Sequence, residues 1–226
     1  MTPSEGRRIV VDGDRVIRPR AGAFVHDLLD YFAEIEWCGA PRLLATTEDR
    51  ETLTHISGYT DPPTLTDAAL IAAARLVREF HDATAGHPLS GTDEVVCHND
   101  LAPKNTVYRD DAHPIAFIDW DWAAPGRRID DLAHMCWQFL NLGPTVTDTH
   151  EAGRQMGLIC AAYGIAIEPP ELIDRILWWQ DRCVRGIESD AAQTTVGVPD
   201  WIRRASGWVV EARGVLAGAM WEYSHQ

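Results

Sequence analysis

The sequence predicts an α+β protein with a small β-rich N-terminal lobe, residues 1–60, and a larger, mainly helical C-terminal lobe, residues 61–226. Three observations carry this reading. The first sixty residues alternate short β-branched runs with one amphipathic segment in the order β-β-α-β-β. Asp61-Pro62-Pro63 then interrupts the pattern with the composition of a linker. Beyond it helical periodicity dominates, broken by three short strand-like runs.

Arg8 to Arg18, RIVVDGDRVIR, reads as two strands joined at Asp12-Gly13, a dipeptide suited to a tight hairpin turn, and Pro19 stops the second. Between Phe24 and Glu36 the apolar positions Val25, Leu28, Leu29, Phe32 and Ile35 recur at helical spacing, and Gly39-Ala40-Pro41 follows. Arg42 to Thr46 and Glu51 to Ser57 read as two more strands around the polar turn Thr47-Glu48-Asp49-Arg50, with Gly58 breaking the second.

Thr66 opens a long helix with Asp67 in its first turn and Leu70, Ala73, Leu76, Val77 and Phe80 on one face. Glu94 to Cys97, Asn105 to Tyr108 and Ile115 to Ile118 are strand-like, the last two linked by Arg109-Asp110-Asp111-Ala112. Helices are expected over 128–141, 149–163, 170–189 and 200–221, the third beginning at Pro169-Pro170. Gln193 to Pro199 reads as the loop before the last of them. Internal repeats and low-complexity tracts are absent from the sequence.

Composition narrows the function classes. Twenty Lys and Arg against 34 Asp and Glu give a net charge of -14, which argues against nonspecific binding to nucleic acid or anionic membrane and is compatible with a cationic small-molecule partner. The five cysteines, Cys38, Cys97, Cys136, Cys160 and Cys183, show no CxxC spacing and read as buried thiols of a reducing cytosol. The first residues, MTPSEGRRIV, lack an apolar core of signal-peptide length, and no apolar run approaches the roughly 18 residues of a membrane span. The expected location is the cytoplasm.

Chemistry concentrates between Cys97 and Asp121, CHNDLAPKNTVYRDDAHPIAFIDWD. A strand exit releases a loop in which Asp100 and Asn105 lie five residues apart, with Pro103 keeping the intervening backbone out of regular helix. The hairpin that follows ends at Asp119. Asn105 and Asp119 offer the hard oxygen ligands that Mg²⁺ takes, and Asp100 stays free to orient and deprotonate an attacking hydroxyl. Singly, Asp100 and Asn105 would be turn residues, His98 a hydrogen-bonded structural histidine, and Asp121 a solvated or capping carboxylate. Together, HxDx4N, a hairpin and an apolar strand closing on Asp119 are the parts of a metal-assisted phosphoryl-transfer site.

HNDLAPKN followed by FIDWDWAAPGRRIDDLA resembles the catalytic loop and metal-binding strand of the aminoglycoside phosphotransferase family, relatives of choline kinase and the protein kinases. The resemblance implies a protein kinase-like two-lobe fold, with Asp100 as catalytic base, Asn105 and Asp119 as Mg²⁺ ligands, and ATP or GTP as phosphoryl donor. It implies that Asp131 braces the catalytic loop; a carboxylate at a helix N-terminus is the alternative for that residue. ETLTHISGY, residues 51–59, is similar to the family's fifth strand and its connection, where backbone near Ile56 and Ser57 would meet the adenine. In REFHDAT, His81 is expected to be structural.

Two departures mark a truncated N-terminal lobe. No GxGxxG precedes the first helix, and the strand RVIRP offers Arg18 where the family has a lysine on the phosphates. For the acid that pairs with it, Asp27, Asp30 and Glu34 on that helix all stand as candidates. Trp178, Trp179, Asp181, Glu188 and Asp190 offer an acidic, aromatic wall for a cationic substrate, against the simpler expectation that most of the nine tryptophans fill core.

The sequence thus points to transfer of a γ-phosphoryl group to a hydroxyl of a small molecule, an aminoglycoside-like antibiotic first among them. A choline or sugar-amine kinase is the neighbouring reading. A catalytically weak immunity or binding protein that sequesters a toxin or antibiotic is the reading from another class. Acceptor, donor nucleotide and oligomeric state are left open by the residues.

Overall fold

The computed structural model of the protein describes residues 9–189 and 197–225. Arg8, the expected loop positions 193–196 and Asp190 of the acidic wall lie outside them. The chain forms two compact units, one running up to Thr64 and resuming over Glu79–Arg127, the other made of Leu65–Arg78 and the chain from Arg128 onward.

In the first unit, β1 (Val10–Asp12), β2 (Arg15–Pro19), β3 (Leu43–Thr46) and β4 (Arg50–Thr54) form an antiparallel sheet in the order β1-β2-β4-β3, with α1 (Ala23–Glu34) between β2 and β3 in sequence. The first turn is Gly13-Asp14, one residue later than expected, because Asp12 still pairs with Arg15. Gly13 takes φ of 60°, the left-handed value that the first position of such a turn demands and that glycine adopts without strain.

The end of α1 has a local cause. Glu36 adopts φ of 56°, and the backbone N–H of Trp37 reaches back to the Phe32 carbonyl at 2.9 Å while that of Glu36 reaches Ala33 at 3.2 Å. This is a Schellman closure, completed by the Trp37 ring 4.7 Å from that of Phe32. The same rings join Phe80 and Trp120 in the apolar centre of the unit.

β4 ends at Thr54 rather than Ser57, since the chain leaves the sheet and Tyr59 pairs with Tyr108. Gly58 permits this approach: a Cβ there would lie 2.5 Å from the Tyr108 carbonyl oxygen. β6 (Thr106–Arg109) and β7 (His113–Phe117) form the expected hairpin, and β5 (Val95–Cys97) pairs with β8 (Ala124–Gly126). β8 is not foreseen from the sequence, because Ala-Pro-Gly has poor strand propensity; a two-stranded pair is where proline is tolerated.

The chain passes between the units within α2 (Asp67–Thr84), whose Thr66 hydroxyl accepts the Ala69 N–H at 3.2 Å. The second unit contains α3 (Arg128–Phe139), α4 (Thr149–Tyr163), α5 (Pro169–Ser189) and α6 (Val198–Ser224), with α6 against α4 and α5, and α3 against α5. α6 starts two residues before Asp200, so Val198 and Pro199 belong to its first turn rather than to a loop. Among the described residues no helix is long and apolar enough to cross a membrane.

Two compositional expectations need correction. Cys97, Cys136 and Cys160 are buried thiols, but Cys38 is exposed and Cys183 half-buried, and none of the five forms a disulfide. Trp120, Trp137 and Trp179 fill core, while Trp122 and Trp221 are exposed and the others are half-buried, their rings covering apolar surface from outside.

Candidate active site

β5 is fully buried and delivers the loop that begins at His98. His98 has no exposure; its Nε2–H donates to the Ile118 carbonyl at 3.1 Å, and its Nδ1 accepts the Asp100 backbone N–H at 3.3 Å. These partners fix a neutral tautomer and make His98 the staple between the loop and the strand leading to Asp119. Asn99 then takes φ of 64°, a left-handed turn that asparagine tolerates, and its Nδ2 donates to Trp122.

The turn brings Asp100 under Asn105. The Asn105 Nδ2 donates to the Asp100 carboxylate at 2.6 Å and to the Asp100 carbonyl at 2.9 Å. With both amide hydrogens spent on one residue, the Asn105 Oδ1 is the atom left to serve a cation. Lys104 Nζ stands 3.7 Å from the same Asp100 carboxylate. The Ile118 N–H donates to the Asn105 carbonyl at 2.9 Å, so Asn105, which leads into β6, and Asp119, which follows β7, lie at the same end of the hairpin.

Asp119 closes β7 with φ of 66°, and a short 3₁₀ turn, Trp120–Trp122, follows. That turn sends Trp120 into the core and leaves the side chains of Asp119 and Asp121 half-exposed, at 49% and 48%. Both carboxylates meet Arg18: its Nη1 donates to Asp119 at 3.2 Å and its Nη2 to Asp121 at 2.5 Å. The third side of the guanidinium, Nε, donates to Glu51 at 2.6 Å.

Glu51 lies directly across from Arg18 in the β2–β4 register. Its side chain is wholly buried, and its second oxygen accepts the Ala21 N–H at 2.9 Å and His26 Nε2 at 2.6 Å. The acid expected on α1 therefore comes from β4, while α1 contributes His26 behind it. Asp27, Asp30 and Glu34 occupy the exposed face of that helix.

Burial works against the charge on Glu51, but the Ala21 amide, His26 and Arg18 outweigh it and hold the carboxyl below its ordinary range. Burial likewise opposes the Arg18 charge, and Asp121 and Glu51 overcome it, raising the guanidinium further. For Asp121 burial dominates: with Asp119 and Glu51 adding repulsion, its carboxyl is raised despite Arg18. Three carboxylates face one guanidinium, and the two half-exposed ones, Asp119 and Asp121, with the amide oxygen of Asn105, offer oxygen donors of the kind that suits a small divalent cation.

Ile56 is half-buried and Ser57 exposed in the segment after β4. The Ser57 carbonyl accepts Arg109 Nε at 2.8 Å, which places this segment against β6. The structure thus joins Arg18 to Asp119 and Asp100 to Asn105, and ties Ser57 to Arg109 of β6, with Ile56 next to it in the chain. Asp131 is fully buried in the first turn of α3, and His81 is fully buried near the end of α2.

Among the described residues, the acids of the expected wall are paired with arginines. The Trp179 Nε1–H donates to the Asp130 carbonyl at 2.7 Å, and Arg175 stacks on Trp178 at 3.6 Å from the ring centroid. Asp181 pairs with Arg185 at 2.6 Å and Glu188 with Arg203. Glu51 and His26 are the members of the cluster that the sequence reading passes over, and Asp121, read there as a solvated or capping carboxylate, joins them through Arg18. For Glu51 a signal exists: it alternates with Leu53 on the inward face of its strand, an acid where a hydrophobe is due.

Comparison with known proteins identifies the fold and the family. A trifolitoxin immunity protein of Rhizobium leguminosarum bv. trifolii is 24% identical over 255 residues, covering 95% of this chain and 96% of that protein. The structure of an aminoglycoside phosphotransferase from Streptomyces rimosus in complex with ADP and streptomycin matches with a TM-score of 0.57 at 16% identity, over 75% of this chain and 85% of that one. A Plasmodium vivax ethanolamine kinase matches with a TM-score of 0.62 at 11% identity, over 92% and 82% of the two chains. These likenesses show the protein kinase-like α+β fold. The sequence matches the profile of the phosphotransferase enzyme family over residues 8–166, and the chain belongs to that family.

Proposed function

We propose that the protein transfers the γ-phosphoryl group of ATP or GTP to a hydroxyl of a small, cationic molecule. The observation that carries this is the double hydrogen bond from Asn105 to Asp100, which makes the proposed base and the proposed metal ligand one rigid unit. Asp100 orients the acceptor hydroxyl and takes its proton as the oxygen attacks. Asn105 Oδ1 and the Asp119 carboxylate would hold Mg²⁺, which supplies charge neutralisation on the phosphates. Arg18 contacts the phosphate oxygens from the sheet side, and backbone near Ile56 and Ser57 meets the base of the nucleotide. The net charge of -14 and the antibiotic named for the Streptomyces relative support an aminoglycoside-like or other amine-bearing acceptor, acted on in the cytoplasm.

The test is release of ADP or GDP and mass-shifted product when the purified chain is incubated with Mg²⁺, ATP or GTP and a panel of aminoglycosides, macrolides, choline and ethanolamine. Phosphorylation of any acceptor that disappears in Asp100→Asn supports the assignment. Turnover undiminished in Asp100→Asn overturns it.

A second reading is protection without turnover, favoured by the immunity protein that matches almost the whole chain. Cells carrying Asp100→Asn separate the two: resistance that survives the substitution belongs to a binder, and resistance lost with it to an enzyme.

A further inference from the structure

Arg18 is held unequally on its two edges. Its Nε is fastened to Glu51, whose side chain has 0% exposure and whose oxygens are already filled by Arg18, Ala21 and His26. Its terminal nitrogens rest on Asp119 and Asp121, which are about half open to solvent. One edge is therefore an anchor and the other is exchangeable.

The exchangeable edge sits on the carboxylate that the proposed reaction needs for its metal. A divalent cation on Asp119 would share that carboxylate with a guanidinium 3.2 Å away, and the two like charges oppose each other. Phosphate oxygens relieve the conflict, because they offer Arg18 a second anionic surface and offer the metal further ligands.

Resting on the phosphotransferase reading, we propose that Arg18 is a resident cation for the metal carboxylates. Without ligands its terminal nitrogens occupy Asp119 and Asp121. When nucleotide and metal enter together they pass to the phosphates, pivoting on the Glu51 anchor. Metal and nucleotide then bind with positive coupling, and free metal is kept out of the site.

Mn²⁺ titration followed by electron paramagnetic resonance tests this on the full chain, with and without a non-hydrolysable ATP analogue. Removing Arg18 should have opposite effects on the two ligands. In Arg18→Gln, free Mn²⁺ binds on the order of tenfold more tightly than in wild type, while the analogue binds more weakly and the coupling shrinks. Because the analogue chelates Mn²⁺ equally in both samples, the difference between them reports the protein's share. A purely structural role for Arg18 would weaken both ligands together. Arg18→Lys, which keeps one charge but cannot span three carboxylates, shows the same signs at smaller amplitude and serves if the glutamine variant does not fold.

Unchanged or weaker binding of free Mn²⁺ in both variants overturns the inference while leaving the phosphotransferase reading intact. Wild-type protein that binds neither Mn²⁺ nor the analogue, alone or together, overturns both.

Discussion

Glu51 stands opposite Arg18 across β2 and β4 and takes its Nε at 2.6 Å, deep enough that the Glu51 side chain has no solvent exposure. An ion pair so placed stabilises less than its geometry suggests, because both charges leave water, yet losing one partner strands the other. Glu51→Ala should therefore lower stability by about 3 kcal/mol. The half-exposed Asp119 and Asp121 still neutralise Arg18 in part, so Glu51→Gln should cost less. Urea unfolding followed by tryptophan fluorescence reads both.

The same carboxylate sets a pH dependence. Glu51 is held below its ordinary range in the folded protein, so the unfolded chain takes up this proton first as pH falls, near pH ~4.3. The stability it contributes is whole above that value and is lost as pH drops through the folded value. Unfolding free energies between pH 7 and the acid limb should fall more steeply in wild type than in Glu51→Gln. Parallel curves would show that another carboxylate carries the acid sensitivity.

Asp100 and Asn105 make separable predictions. Loss of a general base costs about 10²–10⁴ in rate, so Asp100→Ala should reduce kcat within that range while leaving the fold and nucleotide affinity near wild type. Asn105→Ala removes the 2.6 Å bond that aims Asp100 and also the proposed metal oxygen. It should lower kcat and raise the Mg²⁺ concentration needed for half-maximal rate. A steady-state Mg²⁺ titration separates the two variants, since only the second should shift its midpoint.

Local signals made some parts of the molecule legible in sequence and nonlocal pairing hid others. α4 is read to the residue because Asp148 caps it, accepting the Glu151 N–H at 2.9 Å, and Gly164 ends it at φ of 83°. The Asp100–Asn105 arrangement is likewise local, five residues apart with a proline between. Glu51 reaches Arg18 only through the pairing of β2 with β4, which α1 and β3 separate in the chain, and no pattern in either strand specifies that register. β8 is hidden for a different reason, since its three residues carry no strand propensity and pair only because β5 presents an edge.

Where α4 meets α6, the packing depends on one missing methyl group. A Cβ built on Gly153 of α4 would lie 2.6 Å from the Leu216 carbonyl oxygen and 2.8 Å from the Ala219 Cβ of α6. The first neighbour is backbone and cannot rotate away, so a side chain here forces the helices apart. Gly153→Ala gains helix propensity of about 1 kcal/mol, which an exposed site would keep. Overpacking costs about 1–3 kcal/mol, and against backbone it should fall toward the upper end, so the net change is destabilising. Gly186, exposed on α5 with no atom near its Cβ position, is the control: Gly186→Ala should be neutral or stabilising. Thermal unfolding should therefore show a lowered Tm for Gly153→Ala and an unchanged or raised one for Gly186→Ala, and a Gly153→Ala Tm at or above wild type would show that α4 and α6 have room to part.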